Sequence, residues 1–136
     1  MPKEVKRVSL QWQGDLRFQG SEAGKPGTLV DGDNARAPGP MLTLLIAAAS
    51  CTGADVVIIL KKMRVELDRF EIEVAGTRRE EEPRRYVAIL ITYRLLGSDL
   101  DEAKARRAID LSVEKYCSVL HSLAPDIRVS YELQLL

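Results

Sequence analysis

The chain has 136 residues, and its 20 Lys and Arg are balanced by 20 Asp and Glu, so its formal net charge is zero. This length fits a single domain over residues 1–136 with a sizeable hydrophobic core. The charge balance argues against nucleic acid as the main partner, because phosphate binding needs a basic excess or patch. Two cysteines are too few for a secreted disulfide scaffold, and the charged start of the chain lacks a signal-peptide pattern. Together these features favour a reducing cytoplasm.

The N-terminal segment predicts a small sheet followed by the start of a helix. Gly14 and Asp15 form a suitable hairpin turn between the first two of three predicted strands, which are Val5–Trp12, Leu16–Gln19 and Gly27–Val30. Pro40 then suits the first turn of a helix, where its missing N–H has no partner to lose.

The apolar stretch Met41–Leu60 is long enough to span a membrane. However, Asp55 lies well inside it, where a charge is expensive in lipid, so we expect no membrane and a helix that protein covers on nearly every side. Such a helix is about 30 Å long, about the diameter of a small domain. One chain of this size has difficulty covering it, so the sequence predicts an obligate homodimer.

The remaining segments predict strands and helices in alternating blocks. Leu67–Thr77 alternates between apolar and charged residues, which is typical of a half-exposed strand. Asp99 is the expected N-cap of the next helix, with Glu102 completing a capping box. The other predicted elements are the strand Tyr86–Leu96, the helices Leu100–Tyr116 and Cys117–Leu123, and the strand Ile127–Leu135. This order indicates an α+β fold with helices packed on antiparallel sheets.

Cys51 and Cys117 each lie in a predicted helix, and they are the residues best suited to carry chemistry. The simplest alternative is that both are small buried hydrophobic residues. A nucleophilic thiol must be a thiolate, and Cys51 lies mid-helix, where the helix dipole helps little. The stabilising cation must therefore come from elsewhere, and Arg17 and Arg36 are the candidates. A zinc site of Cys51, Cys117 and His121 is a third alternative, since Cys117 and His121 are four residues apart.

Seven segments carry a resemblance that covers nearly the whole chain: Pro40–Met41, Ala47–Val57, Ile59–Lys61, Arg78–Arg84, Ala108–Ser112, Glu114–Val119 and Ser130–Glu132. On these segments the chain resembles the OsmC/Ohr family of thiol peroxidases, and within it the YhfA-like subgroup. The resemblance implies the OsmC-like fold, in which antiparallel sheets pack on a long central helix. It also implies an intertwined homodimer with active sites at the subunit interface.

The resemblance further implies roles for both cysteines. Cys51 would be the peroxidatic residue that attacks an organic hydroperoxide, and Cys117 would resolve the resulting sulfenic acid as a disulfide. A dithiol would then reduce this disulfide, without a metal or other cofactor. The apolar residues around Cys51 would suit a small apolar hydroperoxide better than hydrogen peroxide.

One position departs from the family pattern. Family members carry a glutamate ten residues before the peroxidatic cysteine, and it holds an arginine over the thiolate. Here that position is Met41, and Arg17 is the nearest candidate for the arginine. The missing carboxylate favours an alternative function, a non-catalytic redox-sensing or apolar-ligand-binding protein, whereas the presence of both cysteines favours the enzyme.

Overall fold

The computed structural model describes residues 3–136, which divide into two compact units, one ending at Leu44 and one covering Leu45–Leu136. Each unit contains a three-stranded sheet. The chain therefore has the α+β composition that the sequence indicates, and the single domain over residues 1–136 stays a prediction.

The N-terminal unit is built on an antiparallel sheet of β1 (Ser9–Trp12), β2 (Arg17–Ser21) and β3 (Thr28–Asp31), in that spatial order. The predicted turn is confirmed, since Gly14 and Asp15 both have positive φ, at 101° and 46°. The first strand is shorter than predicted because its pairing with β2 begins only at Ser9, opposite Ser21.

The C-terminal unit contains a sheet in the order β4-β5-β6, comprising Glu66–Arg78, Tyr86–Ser98 and Arg128–Leu135. The predicted hairpin of β4 and β5 is confirmed as antiparallel. The expectation of wholly antiparallel sheets is wrong, because β6 runs parallel to β5, with Ala88 opposite Arg128. The physical reason is the long helical crossover between β5 and β6, which returns the chain to the same end of the sheet.

The helix α1 (Pro40–Lys62) follows β3 along the chain and, from Leu45 onward, belongs to the C-terminal unit. Its buried residues recur at helical spacing, which marks the face toward the sheet: Leu45, Ala48, Thr52, Gly53, Val56 and Leu60. A Cβ atom at Gly53 would lie 2.9 Å from Ile72 Cδ1, so the glycine allows α1 to approach β4 closely. On β5 every second residue is buried, as expected for one face of a strand: Ile89, Ile91, Tyr93 and Leu95.

The crossover from β5 to β6 differs from its prediction at both ends. Asp101, rather than Asp99, caps α2 (Glu102–Leu111), since its Oδ1 accepts the Lys104 N–H at 2.8 Å. Asp99 has a φ of 61°, in the left-handed region, whereas an N-cap residue has extended backbone. The predicted α-helix Leu100–Tyr116 is also wrong in its last part, because α2 ends at Leu111 and a π-helical turn, Ser112–Tyr116, follows it. A short helix, α3 (Ser118–Ser122), comes next.

Among the described residues, α1 is the one helix long and apolar enough to cross a membrane by length and composition, a test that the core helix of a soluble protein also meets. Several large apolar residues of α1 are exposed in the single chain: Leu42, Ile46, Val57 and Ile58. Their exposure leaves an apolar surface that a single chain does not cover.

Candidate redox site

The two cysteines lie next to each other in the C-terminal unit. Cys51 is half-buried in the middle of α1, and Cys117 is fully buried, with 0% of its surface exposed. Both thiols are free, and Cys51 is close enough to the Cys117 thiol to raise the pKa of Cys117. The structure thus brings together the two residues that the sequence singled out.

Cys117 occupies a break between two helical segments. Its backbone is extended, with φ −70° and ψ 99°, and it separates the π turn from α3. Its N–H donates to the Ser112 carbonyl at 2.7 Å. This hydrogen bond joins residues i and i+5, which is the pattern of a π turn. The expectation of Cys117 inside a regular helix is therefore wrong, because this π-type bond ends the α-helical pattern just before it.

The surroundings of Cys117 favour its neutral thiol. The pKa of Cys117 is raised to about 11, and burial is the largest cause. Interaction with the Cys51 thiol, the charge of Cys51 when ionised and the nearby carboxylate of Asp55 contribute to this rise, while the Leu120 N–H acts against it. Cys117 therefore keeps its proton throughout the neutral pH range.

A chain of four side chains connects the segments that carry the two cysteines. The Thr52 hydroxyl lies 2.7 Å from the Tyr93 hydroxyl and 2.8 Å from the Ser112 hydroxyl, and Ser112 donates to Asp55 Oδ2 at 2.9 Å. Thr52, Tyr93 and Ser112 are fully buried. Burial raises the pKa of Tyr93 to about 12, so its hydroxyl remains protonated and available as a donor.

A cavity of about 410 Å³ begins one helical turn from Cys51. Its lining combines apolar and polar groups: Asp55, Ile58, Ile59, Lys62, Leu111 and Tyr116. Asp55, Ile58 and Lys62 follow Cys51 by four, seven and eleven residues, so they share its face of α1. Asp55 therefore contacts the buried hydroxyl chain on one side and this cavity on the other.

Arg17 lies on β2 in the N-terminal unit, with its guanidinium partly buried. Its Nη1 donates to Asp15 Oδ2 at 3.0 Å and its Nη2 to the Gln13 carbonyl at 3.2 Å. A carboxylate other than the family glutamate thus binds this arginine. Arg36 is exposed, and its backbone N–H donates to Asp31 Oδ2 at 2.9 Å. The assignment of either arginine to the Cys51 thiolate stays a prediction.

Asp31, the last residue of β3, is a buried carboxylate. It also accepts the Asp33 N–H, at 2.9 Å. The N–H donors of Arg36, Asp33 and Ala35 lower the pKa of Asp31, and the charge of Arg17 adds a smaller effect in the same direction. Asp31 therefore remains ionised and organises the loop that leads to α1.

The His121 side chain pairs with a backbone carbonyl and not with either cysteine. Its Nε2 lies 3.1 Å from the Val113 carbonyl, and its ring is exposed. Within residues 3–136, no group of three or more His, Cys, Asp and Glu side chains is placed to hold a metal ion. The zinc-site alternative with Cys51 and Cys117 therefore lacks its third ligand.

Thr52, Tyr93 and Ser112 are the site residues that sequence reasoning missed. Thr52 follows Cys51 directly, and Ser112 lies five residues before Cys117, but hydroxyl residues at such positions are common in helices. These residues can be recognised only once α1 is known to pack against β5 and the π turn. That packing belongs to the tertiary fold and leaves no pattern in the sequence.

Comparison with known proteins supplies the family. The family model described as OsmC-like protein matches residues 31–132. The chain is 40% identical to protein YhfA of Escherichia coli K12 over 130 residues, which cover 93% of this chain and 97% of YhfA. This chain therefore belongs to the OsmC-like family.

Solved structures agree with this fold. An OsmC-like protein from Mycoplasma pneumoniae aligns with a TM-score of 0.83 at 15% identity, covering 100% of this chain and 99% of that one. The organic hydroperoxide resistance protein OhrB of Bacillus subtilis aligns with a TM-score of 0.60 at 18% identity, covering 98% of each. At these identities the likeness concerns the fold.

Proposed function

We propose that this protein reduces organic hydroperoxides, with Cys51 as the peroxidatic residue and Cys117 as the resolving residue. The observation that carries the proposal is that two free thiols lie close enough to interact, one half-buried and one fully buried. Family membership supports the same chemistry, since OhrB, a structural relative, is an organic hydroperoxide resistance protein.

The reaction needs two steps at the protein and one reductant. The Cys51 thiolate attacks a peroxide oxygen, the O–O bond breaks, and the alkoxide leaves and takes up a proton as the alcohol. Cys51 is then a sulfenic acid, and attack by the Cys117 sulfur forms a disulfide and releases water. A dithiol reduces this disulfide by exchange and itself becomes a disulfide.

The difference in exposure between the two cysteines supports these roles. A peroxide from solution can reach the half-buried Cys51, whereas Cys117 is enclosed and lies near Cys51. The raised pKa of Cys117 keeps it as a thiol, which is a poor nucleophile toward peroxide. Cys51 therefore reacts first, and Cys117 reacts with the product of that step.

The cavity that begins one turn from Cys51 supports an apolar substrate. Ile58, Ile59 and Leu111 supply an apolar lining, and a volume of about 410 Å³ accommodates a small alkyl or aryl group. The protein should therefore prefer an alkyl hydroperoxide to hydrogen peroxide.

The protein should act as a homodimer in a reducing cytoplasm. Ile46 and Ile58 of α1 are each 53% exposed in the single chain, which is unfavourable for large aliphatic side chains unless a partner covers them. A reducing compartment suits this mechanism, because the reductant there returns both cysteines to thiols after each turnover.

Arg17 is the proposed activating cation. With Asp15 and the Gln13 carbonyl binding its guanidinium, it is held without a glutamate at position 41. We expect Arg17→Ala to slow alkylation of Cys51 about tenfold at pH 7, as one nearby positive charge stabilises a thiolate by about one pKa unit. Arg36→Ala should slow it less. Equal alkylation rates for Arg17→Ala and the parent from pH 6 to 9 would remove Arg17 from the site.

A second candidate function is redox sensing or apolar-ligand binding without turnover, which Met41 in place of the family glutamate favours. Turnover separates the two. With cumene hydroperoxide and excess dithiol, the enzyme should consume many equivalents of peroxide per chain, whereas a sensor should stop after one. Cys51→Ser should lower the peroxidase rate by at least about 100-fold. Cys117→Ser should leave a Cys51 sulfenic acid that dimedone traps.

One experimental result would exclude the peroxidase function. If intact parent protein exposed to cumene hydroperoxide retains both thiols free by mass spectrometry, the peroxidase mechanism is wrong. If the disulfide forms but turnover stops at one equivalent in the presence of dithiol, the sensing function takes its place.

A further inference from the structure

The hydroxyl chain beside the cysteines has a fixed direction. Ser112 donates its single hydroxyl hydrogen to Asp55 Oδ2, so at its other contact it must accept from Thr52. Thr52 has then used its own hydrogen, and at its contact with Tyr93 it must accept from the phenol. All three hydrogen bonds therefore point toward one carboxylate, and Asp55 is the acceptor on which the order of the chain depends.

This chain ties the two cysteine segments together close to the thiols. Thr52 and Asp55 belong to α1, and Thr52 directly follows Cys51. Ser112 begins the π turn, and its carbonyl accepts the Cys117 N–H at 2.7 Å. The same serine thus holds Asp55 through its side chain and Cys117 through its backbone.

We propose that Asp55 is a positioning residue for the disulfide step: through Ser112 it holds the π turn against α1, so that Cys117 stays within reach of Cys51. The inference rests on the proposed function, since it concerns how fast Cys117 resolves the sulfenic acid. Disulfide formation requires the two Cβ atoms to come within about 4 Å, so a loosened π turn slows this step. Attack on peroxide forms no bond to Cys117, so this step does not depend on the distance between the two sulfurs.

The neighbourhood of Asp55 favours this role over one in attack. Its carboxylate acts on Cys117 and Tyr93 by charge as well as by the hydrogen-bond chain. A negative charge at this place opposes formation of a thiolate, so it gives the attack step no help. Its contribution lies in the bond to Ser112.

The experiment measures two rates in one turnover with one equivalent of cumene hydroperoxide. The first is Cys51 sulfenylation, followed by dimedone trapping in a Cys117→Ser background. The second is disulfide closure, followed by acid quench and mass spectrometry. Asp55→Ala should slow closure about tenfold, as expected for the loss of one hydrogen bond. Ser112→Ala removes the same bond from a residue outside the cavity lining, so it should leave sulfenylation within about threefold of the parent. Asp68→Ala, which removes an exposed carboxylate from β4, is the matched control.

Two further variants separate the hydrogen bond from the charge and from a general loss of structure. Asp55→Asn keeps an amide oxygen that accepts from Ser112, so closure should stay within about threefold of the parent. Ser112→Ala should slow closure as much as Asp55→Ala, and the double variant should be no slower than either. If Asp55→Ala does not fold, the closure rates of Asp55→Asn and Ser112→Ala still test the proposal.

The opposing results are distinct. Closure at the parent rate in Asp55→Ala or Ser112→Ala overturns the positioning role alone. Closure in Asp55→Asn as slow as in Ser112→Ala also overturns it, since the charge and not the bond would then act. A parent protein that forms no disulfide overturns the proposed function, and the positioning role with it.

Discussion

The helix around Cys51 and the segment around Cys117 place two neighbouring thiols by different means. α1 is regular for 23 residues, from Pro40 to two lysines in its last turn. The segment around Cys117 changes from α-helix to π turn to extended backbone and back to helix within a few residues. Local preferences account for α1, whereas bonds to another element hold the Cys117 segment. A regular helix therefore carries Cys51, the thiol proposed to react with substrate. An irregular segment encloses Cys117, the thiol proposed to react in the second step.

Thiol accessibility should give the largest difference between the two regions. In the folded protein, iodoacetamide should modify Cys51 at least about 100-fold faster than Cys117, because Cys117 is fully buried and its raised pKa keeps it protonated. Peptide mapping by mass spectrometry, with a urea-unfolded sample in which both thiols react, measures the ratio. Equal protection of both thiols would instead support the interpretation of two core cysteines.

The hydroxyl chain should give the next largest effect. Thr52→Val keeps the shape of the side chain but leaves the Tyr93 and Ser112 hydroxyls without one partner each, in a buried place. We expect it to lower the free energy of unfolding by about 2–3 kcal/mol. Thr77→Val, on the exposed side of β4, should change it by less than about 0.5 kcal/mol. Urea unfolding at one protein concentration compares them, and similar midpoints for both variants would show that the chain adds little.

The pH dependence of stability is the prediction that bears on Cys117 alone. Its pKa is raised to about 11 in the folded protein, and an unfolded cysteine titrates near pH 8.5. Between these values the unfolded chain releases a proton that the folded chain retains, so the free energy of unfolding falls as pH rises. Cys117→Ala should fall less steeply from pH 8.5 to 10.5. Parallel curves for the parent and Cys117→Ala would mean that Cys117 does not experience the burial described above.

The parts of this protein that could be predicted from sequence are those governed by local patterns. The alternation in β4, the hairpin turn at Gly14 and the start of α1 at Pro40 each follow from a few neighbouring residues. The cap at Asp101 was missed because Asp99 offers the same side chain two residues earlier, and only the left-handed φ of Asp99 decides between them. The parallel pairing of β6 depends on the path of a whole crossover.

The same distinction holds for the site. Both cysteines could be named from the sequence and the family resemblance, because thiols are rare and their chemistry is specific. The chain from Tyr93 to Asp55 could not, since its members come from α1, β5 and the π turn, and no spacing along the sequence relates them. Hydroxyl groups become recognisable as a chain only when packing removes water from around them.

The parallel pairing of β5 and β6 has a consequence for how the chain folds. The β4–β5 hairpin joins neighbouring segments and can form early, whereas β6 is separated from β5 along the chain by α2, the π turn and α3. Closing so long a loop before its contacts form slows folding, since the loss of chain entropy comes first. A refolding chain should therefore pass through a stage with the hairpin formed and β6 undocked. During that stage Cys117 would lack its enclosure, and a strong oxidant present then would reach both thiols.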